Sequence, residues 1–402
     1  MEVRLGRRGF LKDGFIALAA AATLPPFLAR AAGSAGERRR KLVVVFLRGA
    51  ADALNVIVPH GDPSYAPLRP TLAIPRSAVL DLDGCFGLHP ALSAIAPFFG
   101  HGQLAVVVAS GSPDPTRSHF EAQDYMESGT PGLPATREGW LNRVVGGLPG
   151  PGSPWWAVSP GPNLPRILSG SAPALALGGL AAAPRGGDAA ALETMYRGSG
   201  DARTRAEASA AFDAVRALRA AERAAGTRAT YPRGALGEQL RRIASVLRAD
   251  LGVVAAFADI GGFDHHVNEG AVEGQLAERL RELGAALSAF WTELADDAGD
   301  VVVVTLTEFG RTARENGNRG TDHGHGGFML VLGGEVRGGR VYGRWPGLAP
   351  EELHDGRDLP VTTDFRLVLG ELVLRHLGSS RVDRVFPGFD VAAAGGFLGL
   401  VG

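Results

Sequence analysis

The chain has 402 residues, 45% of them hydrophobic and 21% charged, which is enough apolar material to bury a large core. Its formal net charge of −1 gives no electrostatic reason to expect a nucleic-acid partner or an acidic membrane surface. Its only lysines are Lys12 and Lys41, so no core lysine remains for a Schiff base or a P-loop. A single cysteine, Cys85, excludes a disulfide framework. The GxSxG motif typical of α/β-hydrolases is absent.

The first 35 residues are predicted to be a twin-arginine export signal. Arg7 and Arg8 precede a moderately apolar stretch, 15–28, and the Ala-Arg-Ala sequence at 29–31 fits a cleavage site. The stretch is shorter than the roughly 20 apolar residues that span a bilayer, so a permanent membrane helix is not expected. The alternative is an uncleaved anchor. The mature protein is therefore expected in the periplasm or outside the cell, without a transmembrane segment.

Short runs rich in valine, isoleucine and leucine predict buried strands. They are continuous rather than alternating, as expected for parallel strands covered on both faces. The runs are KLVVVFL (41–47), LAVVVAS (104–110), VVAAFADI (253–260), VVVVTLT (301–307) and FMLVLGG (328–334).

Helical patterns lie between these runs, at 201–222, 235–250, 271–297 and 363–378. Strands that alternate with helices indicate a doubly wound α/β fold with a mostly parallel sheet and helices on both faces. We expect one domain over 41–402, in which the Gly/Pro/Ala-rich segment around 145–250 forms an elaboration of loops and helices.

Polar side chains follow four of the predicted strands, and ligands bind beyond the carboxyl ends of parallel strands. The stretch GTDHGHGG (320–327) adds two histidines and an aspartate to this edge. The residues are Arg48, Asp52 and Asn55 after 41–47; Asp114, Arg117, Ser118 and His119 after 104–110; Asp264, His265 and His266 after 253–260; and Glu308, Arg311, Asp322, His323 and His325 after 301–307.

Within this set, four positions offer oxygen and nitrogen ligands for a metal ion: Asp264, His266, Glu308, and His323 or His325. Such a set suits Zn, Mn or Fe better than Ca. The alternative is that these residues only brace their loops, for instance through a salt bridge between Glu308 and Arg311.

Three further residues have two interpretations each. Ser118 with Glu121 matches the capping box S-x-x-E, but its hydroxyl also stands where a nucleophile would. Arg48 and Arg311 either form structural ion pairs or bind the oxygens of an anionic substrate group.

The motifs LVVVFLRGAADALNVIVP, SHFEAQDYMESG, GGFDHH, TLTEFGRT and GTDHGHGGFMLVLGGEVRGG together resemble the domain-of-unknown-function 1501 family. These are exported bacterial proteins, many with twin-arginine signals, that are placed in the alkaline phosphatase/sulfatase superfamily. The resemblance begins near Leu42 and covers nearly all of the mature chain. It implies an alkaline phosphatase-like fold, whereas the chemistry of the family itself is not established.

By position, the resemblance implies that Asp52 is the metal ligand after the first strand and that Ser118 is the nucleophile. It further implies that Asp264 and His266 form an Asp/His ligand pair, that Glu308 replaces the usual aspartate, and that His323 or His325 is the last histidine ligand. The sequence departs from the superfamily plan at Phe309, where a histidine is usual, and in the spacing around Asp52 and Asp264.

Two functions follow as hypotheses. The first is an exported hydrolase that uses a divalent metal ion to act on a small phosphate, sulfate or related ester, whose anionic oxygens Arg48, Arg117 or Arg311 would hold. The second is a non-catalytic binding or assembly protein, with an unknown protein partner, that keeps the scaffold and a degenerate metal site.

Overall fold

The computed structural model describes residues 39–402, apart from 134–135, 151–152, 182, 184–185, 225 and 227. Arg7, Arg8 and the rest of the predicted export signal lie outside the described residues. The signal therefore stays a prediction, and so does the division of the chain into residues 1–35 and one domain over 41–402. Among the described residues, no helix is both long and apolar enough to cross a membrane.

The strands fall where the apolar runs predict them, with several short additions. They are β1 (Lys41–Leu47), β2 (Ile57–Val58), β3 (Leu80–Asp81), β4 (Gly87–Leu88), β5 (Leu104–Gly111), β6 (Ala157–Ser159), β7 (Leu175–Ala176), β8 (Ala255–Ile260), β9 (Val301–Leu306), β10 (Gly327–Gly333), β11 (Arg340–Tyr342) and β12 (Thr363–Asp364).

A nine-stranded sheet has the order β11-β5-β10-β9-β1-β8-β6-β7, and β12 pairs with β5. Its neighbouring strands are parallel except at β10, which runs antiparallel to both β5 and β9. A separate small antiparallel sheet has the order β2-β4-β3. The predicted α/β class with a mostly parallel sheet is confirmed.

Helices occupy most of the connections between strands. The α-helices are α1 (Ala53–Val56), α2 (Tyr65–Leu68), α3 (Ala96–Gly100), α4 (His119–Ser128), α5 (Trp140–Gly146), α6 (Leu177–Ala181), α7 (Gly186–Arg197), α8 (Ala202–Ala224), α9 (Ala235–Arg248), α10 (Gln275–Leu294), α11 (Phe365–Glu371) and α12 (Val382–Val385). Shorter 3-10 turns lie at Pro90–Leu92, Pro154–Trp156, Arg166–Leu168, Ala295–Asp300 and Pro350–Glu352.

Two apolar cores lie on opposite faces of the sheet, because alternate residues of each strand point to opposite sides. In β1, Val43 and Val45 face one core, which includes residues of α8, α9 and α10. Leu42 and Val44 face the other core, which includes residues of α4, α5 and α11. Burial on both faces explains why the strand sequences are continuous apolar runs.

The structure differs from the predicted elements at two places. The run at 328–334 forms a strand, but that strand is antiparallel, because residues 307–326 between β9 and β10 return from the same edge of the sheet at which β9 ends. The helix predicted over 363–378 begins with the short strand β12 and continues as α11. It then widens into a π-helical turn, Leu372–His376.

A buried charged group holds the loop after β1 against the loop after β9. Arg69 is completely buried and donates hydrogen bonds to both carboxylate oxygens of Asp52 and to the backbone oxygens of Thr312 and Ala313. Glu269 is also completely buried, and its carboxyl accepts a hydrogen bond from Thr321 Oγ1 at 2.8 Å. Burial, together with the charge of Asp52, raises the pKa of Glu269 well above its usual range.

We expect Glu269→Gln to be tolerated and to make stability less dependent on pH. A carboxyl whose pKa is raised on folding stabilises the protein fully below its unfolded pKa, and this contribution is lost as pH rises through the folded pKa. The neutral amide lacks this titration. Urea unfolding measured from pH 5 to 9 should show a flatter pH profile for the variant than for the wild type. A variant that stays folded with an unchanged pH profile would contradict the raised pKa of Glu269.

Candidate metal centre

Three segments bring imidazole and carboxylate groups to the edge of the sheet where β1, β5, β8 and β9 end. His119 is the first residue of α4, which follows β5. Asp264 and His266 lie in the loop after β8, and His323 lies in the loop between β9 and β10. Because β10 is antiparallel, its amino end meets the carboxyl ends of its parallel neighbours, and His323 reaches the same edge.

The glycines of the stretch 320–327 permit close backbone approaches that place His323. Residues 310–312 and 322–325 form a short antiparallel ladder, with a bridge between Arg311 and His323. A Cβ on Gly324 would lie 2.3 Å from the carbonyl carbon of Arg311, and one on Gly320 would lie 2.4 Å from the carbonyl carbon of His266. Side chains at these two positions would push the loops apart.

The Nε2 atoms of three histidines lie close to the carboxylate of Asp264. His323 Nε2 lies 3.0 Å from His119 Nε2 and 3.0 Å from His266 Nε2. Asp264 Oδ1 lies 3.0 Å from His266 Nε2 and 3.3 Å from His323 Nε2, and Asp264 Oδ2 lies 3.6 Å from His119 Nε2. His119, Asp264 and His323 form a group whose ligand atoms all lie within 4.8 Å of one another.

The other ring nitrogen of each histidine faces an oxygen atom. His119 Nδ1 lies 2.8 Å from Glu308 Oε1, His266 Nδ1 lies 3.1 Å from Asp322 Oδ1, and His323 Nδ1 lies 2.9 Å from the carbonyl oxygen of Arg117. A carbonyl oxygen only accepts, and both carboxylates accept further hydrogen bonds from N–H groups. Each Nδ1 therefore carries the hydrogen, and each Nε2 presents a lone pair to the cluster.

Lone pairs and a carboxylate at such distances repel one another unless positive charge lies between them. A proton on one Nε2 would remove the repulsion within one pair of atoms, whereas a divalent cation between them removes the repulsion within every pair. Zn–N bonds of about 2.0–2.1 Å in a tetrahedron separate neighbouring ligand atoms by about 3.3 Å, and the five separations given above lie between 3.0 and 3.6 Å. Histidine ligands whose second nitrogen donates to an oxygen are the usual arrangement in metal sites. His119, Asp264 and His323 therefore fit a metal ion, and His266 adjoins them through His323 and Asp264.

The charged surroundings favour the metal-binding protonation states of Asp264 and His323, whereas His119 is more easily protonated than a free imidazole. Burial opposes ionisation of Asp264, but the hydrogen bond and charge of Arg311 outweigh it and lower the pKa of Asp264. Burial, with the nearby positive charges of His119 and Arg311, lowers the pKa of His323. At His119, the hydrogen bond to the Glu308 carboxylate raises the pKa and outweighs burial.

Glu308 lies behind the cluster rather than within it. Its side chain is completely buried and accepts hydrogen bonds from the backbone N–H of Gly49 at 2.8 Å and from Gln123 at 2.9 Å, besides His119. Burial alone would raise the pKa of Glu308, but these hydrogen bonds lower it. The residue predicted as a ligand thus orients the ligand His119.

Asp52 and His325, the two other predicted ligands, have different partners. Both oxygens of Asp52 are taken up by Arg69, so the side chain cannot bind a metal without breaking a buried ion pair. The ring of His325 packs against His354 with 4.7 Å between ring centroids, and burial lowers the pKa of His325 to about 4. Of the two histidines in the glycine-rich stretch, the structure brings His323 to the cluster.

The two arginines predicted to bind a substrate group are engaged within the protein. Arg48 contacts Asp259, Gln123 and Glu127 at 2.6, 2.8 and 2.9 Å. Arg311 is almost fully buried, and its guanidinium donates to Asp264 and to four backbone carbonyl oxygens. The donors of both side chains are used in contacts that hold loops together, so neither arginine offers them to a substrate group.

Ser118 is the N-cap residue of α4, but its side chain makes no capping hydrogen bond. Glu121, its expected partner in a capping box, instead accepts from the hydroxyl of Thr116 at 2.7 Å. The capping-box interpretation is therefore wrong. Within the described part of the chain, the Ser118 hydroxyl has no hydrogen-bond partner, and its role as a nucleophile stays a prediction.

Two residues of the cluster and its surroundings, His119 and Asp322, are not identified as functional by the sequence pattern. His119 was visible as an imidazole at a helix start beyond the end of a strand, which is a position that faces the carboxyl edge. Asp322 was visible next to His323 in the glycine-rich stretch. Neither position has a spacing that identifies its partner, because the partners are 189 and 56 residues away in the chain.

Comparisons with known proteins give a family and distant structural likenesses. A family model described as "Protein of unknown function (DUF1501)" matches residues 39–381. No curated protein matches the sequence. Among solved structures, the chain is similar to the lipoteichoic acid synthase LtaP from Listeria monocytogenes, with a TM-score of 0.33 and 8% sequence identity, over 79% of this chain and 70% of that one. At this TM-score the likeness carries no argument about function.

We expect Glu308→Gln to weaken metal binding by about 10–100-fold, as is typical when a group that orients a histidine ligand is changed. The amide loses the charge that favours the Nδ1–H form of His119. Metal affinity is measured by competition with a chromogenic chelator. Glu371→Gln is the matched control, because Glu371 is equally buried but binds the backbone N–H groups of Gly399 and Val401. Equal affinity in both variants would rule out this role for Glu308.

Proposed function

Because that family model spans most of the chain, the protein belongs to the DUF1501 family, and from this premise we propose that it is an exported, metal-dependent hydrolase of a phosphate, sulfate or related ester. The observation that carries the proposal is the convergence of three histidine Nε2 atoms and one carboxylate, each histidine being fixed by an oxygen at its Nδ1.

The proposed cofactor is one divalent ion held by His119, Asp264, His266 and His323. Three imidazoles and one carboxylate suit zinc best, and also manganese or iron, whereas calcium prefers six to eight oxygen ligands. Such an ion supplies Lewis acidity, which polarises an ester oxygen and makes water or a hydroxyl a better nucleophile. Phe309, which stands where the superfamily usually has a histidine, packs against His119 and His323 with 5.0 and 5.1 Å between ring centroids. We therefore propose one ion.

Substrate access is supported by the exposure of the cluster. The side chains of His266 and Asp264 are 40% and 46% exposed, whereas those of His119 and His323 are 23% and 25% exposed. Four protein ligands complete the tetrahedron of a structural zinc site, whereas a catalytic zinc ion usually has three protein ligands and a position for water or substrate, and its coordination can expand to five. An ester oxygen would therefore join the ion as a fifth ligand. The exposed side of Asp264 and His266 is where we propose that the ester approaches.

We propose that Arg117 and Arg357 bind the anionic oxygens, in place of Arg48 and Arg311. Both donate to the completely buried carboxylate of Asp358, Arg117 at 2.5 Å and Arg357 at 3.2 Å. Both also contact His323: Arg357 donates to its carbonyl oxygen, and the carbonyl oxygen of Arg117 accepts from its ring. Within the described residues, Arg117 Nη1 and Arg357 Nε have no partner. Asp355 also lies 3.8 Å from Arg117 Nη2, so it is these free donors, and not a net positive charge, that the two arginines offer an anion.

Three parts of the proposal derive from the sequence. Ser118, which precedes the ligand His119, is the proposed nucleophile, with water as the alternative. Export by the twin-arginine pathway is proposed from Arg7 and Arg8, and this route commonly carries proteins that are already folded. The alkaline phosphatase-like classification is likewise proposed from the sequence motifs.

The metal is tested by elemental analysis of the purified mature protein. We expect about one divalent ion per chain, and we expect His266→Ala to lower the occupancy without unfolding the protein, because the change removes a ligand from a partly exposed position. His101→Ala is the control, because His101 is an exposed histidine at the end of α3. Full occupancy in His266→Ala would remove the main support for the proposal.

Hydrolysis is tested with a panel of aryl phosphates and sulfates on the metal-loaded protein. We expect Arg357→Ala to raise KM more than it lowers kcat, since the charge holds the anionic group. We expect Ser118→Ala to abolish turnover if the hydroxyl is the nucleophile and to leave most of it if water is. If the protein binds metal stoichiometrically but hydrolyses no ester, the result favours the binding or assembly protein instead.

A further inference from the structure

A cavity of about 310 Å³ adjoins the metal centre on the outer side of two of its histidines. Its lining includes Asp322, which accepts from the His266 ring, and Arg357, which donates to the carbonyl oxygen of His323. At about 30 Å³ for a water molecule in the liquid, the cavity has room for about ten non-hydrogen atoms. This is the size of one ring with a substituent, so the cavity holds one such unit of a ligand.

One part of the cavity wall is apolar. Leu68, Leu348 and Leu353 line it, and all three belong to a buried or partly buried apolar cluster. This surface lies beside charged loops and would be covered by an apolar part of a ligand, since removing apolar surface from water is favourable.

Most polar groups of the wall already have partners within the protein. Glu315 accepts from the backbone N–H groups of Thr71 and Leu72 and from the Thr71 hydroxyl. Asn316 donates to the carbonyl oxygen of His266 and to Asp322. These groups shape the cavity but offer little to a ligand.

Arg314 is the exception. It lines the cavity and is exposed, and within the described residues its side chain has no hydrogen bond or ion pair. An unpaired guanidinium beside an apolar wall selects a ligand that joins an apolar body to an anionic group, because its planar N–H groups match carboxylate oxygens.

We propose that this cavity binds the organic part of the ester substrate, and that this part is a single ring or short chain carrying a carboxylate or similar anion. The proposal rests on the proposed function, since it assumes that the reacting ester lies at the metal. The ester oxygens lie at Arg117 and Arg357, the apolar body lies against Leu348 and Leu353, and the distal anion lies at Arg314.

The test measures binding of three phosphonates, which resist hydrolysis, to the metal-loaded protein by calorimetry. They are methylphosphonate, phenylphosphonate and 4-carboxyphenylphosphonate. We expect each addition, the ring and then the carboxylate, to tighten binding at least about tenfold, which corresponds to one charge-assisted hydrogen bond or one buried apolar group. Benzoate, which lacks the phosphonate, serves as a fourth probe of the cavity alone.

Two variants separate the two contributions. Arg314→Ala should abolish the preference for the carboxylated ring and leave the preference for phenyl over methyl. Leu353→Trp should fill the cavity and abolish the preference for phenyl, and its metal content reports that it is folded. Arg384→Ala is the matched control, because Arg384 is an exposed arginine on α12 whose side chain has no partner in the described chain.

The outcomes distinguish this proposal from the proposed function. If all three phosphonates bind equally well to the wild type, or if both variants behave like Arg384→Ala, the cavity proposal is wrong while the metal site stands. If no phosphonate binds but benzoate does, and Arg314→Ala removes that binding, the cavity is a ligand site and the ester hydrolase is wrong. If neither class of probe binds, both proposals are overturned.

Discussion

The candidate site depends on one buried guanidinium. Arg311 donates to the backbone oxygens of Gly49 and Ala50 after β1, of Phe263 after β8 and of Thr321 before β10, and also to the carboxylate of Asp264. A charge removed from water is costly unless its donors are satisfied, so three loops must close around it together. An ammonium group has three donors on a single atom and cannot reach these acceptors. The positions of the loops that carry Asp264, His266 and His323 therefore follow from one side chain.

The fold was largely predictable because its signals are local. The apolar runs at 41–47, 104–110 and 301–307 match β1, β5 and β9 closely, since a strand covered on both faces must be apolar throughout. The rule that parallel strands end at a common edge then located Asp264, His266 and His323 as neighbours. The direction of β10 was not predicted, because it depends on the path of residues 307–326 and not on the composition of the strand.

The roles within the site were less predictable because partners decide them. Asp52 lies after the first strand, as a ligand would, but Arg69 comes from a segment without a periodic pattern and takes both of its oxygens. Glu308 is predicted as a ligand and His119 is not, but the contact between them places His119 in the cluster and Glu308 behind it. The two residues are far apart in the chain. His323 and His325 are two residues apart, and only the pairing of His323 with Arg311 distinguishes them. Sequence spacing carries no information about such contacts.

The four proposed ligands come from three segments, and the histidines of the first and last are 204 residues apart. An unfolded chain cannot present them together, so an ion bound there binds only the native state. At a free metal concentration of about 1,000 times the dissociation constant, such an ion adds about 4 kcal/mol to the free energy of unfolding. That is a substantial share of the roughly 5–15 kcal/mol typical of a folded protein. The ion would then stabilise the native state, and the fraction of chains that are folded would depend on the supply of metal in the compartment.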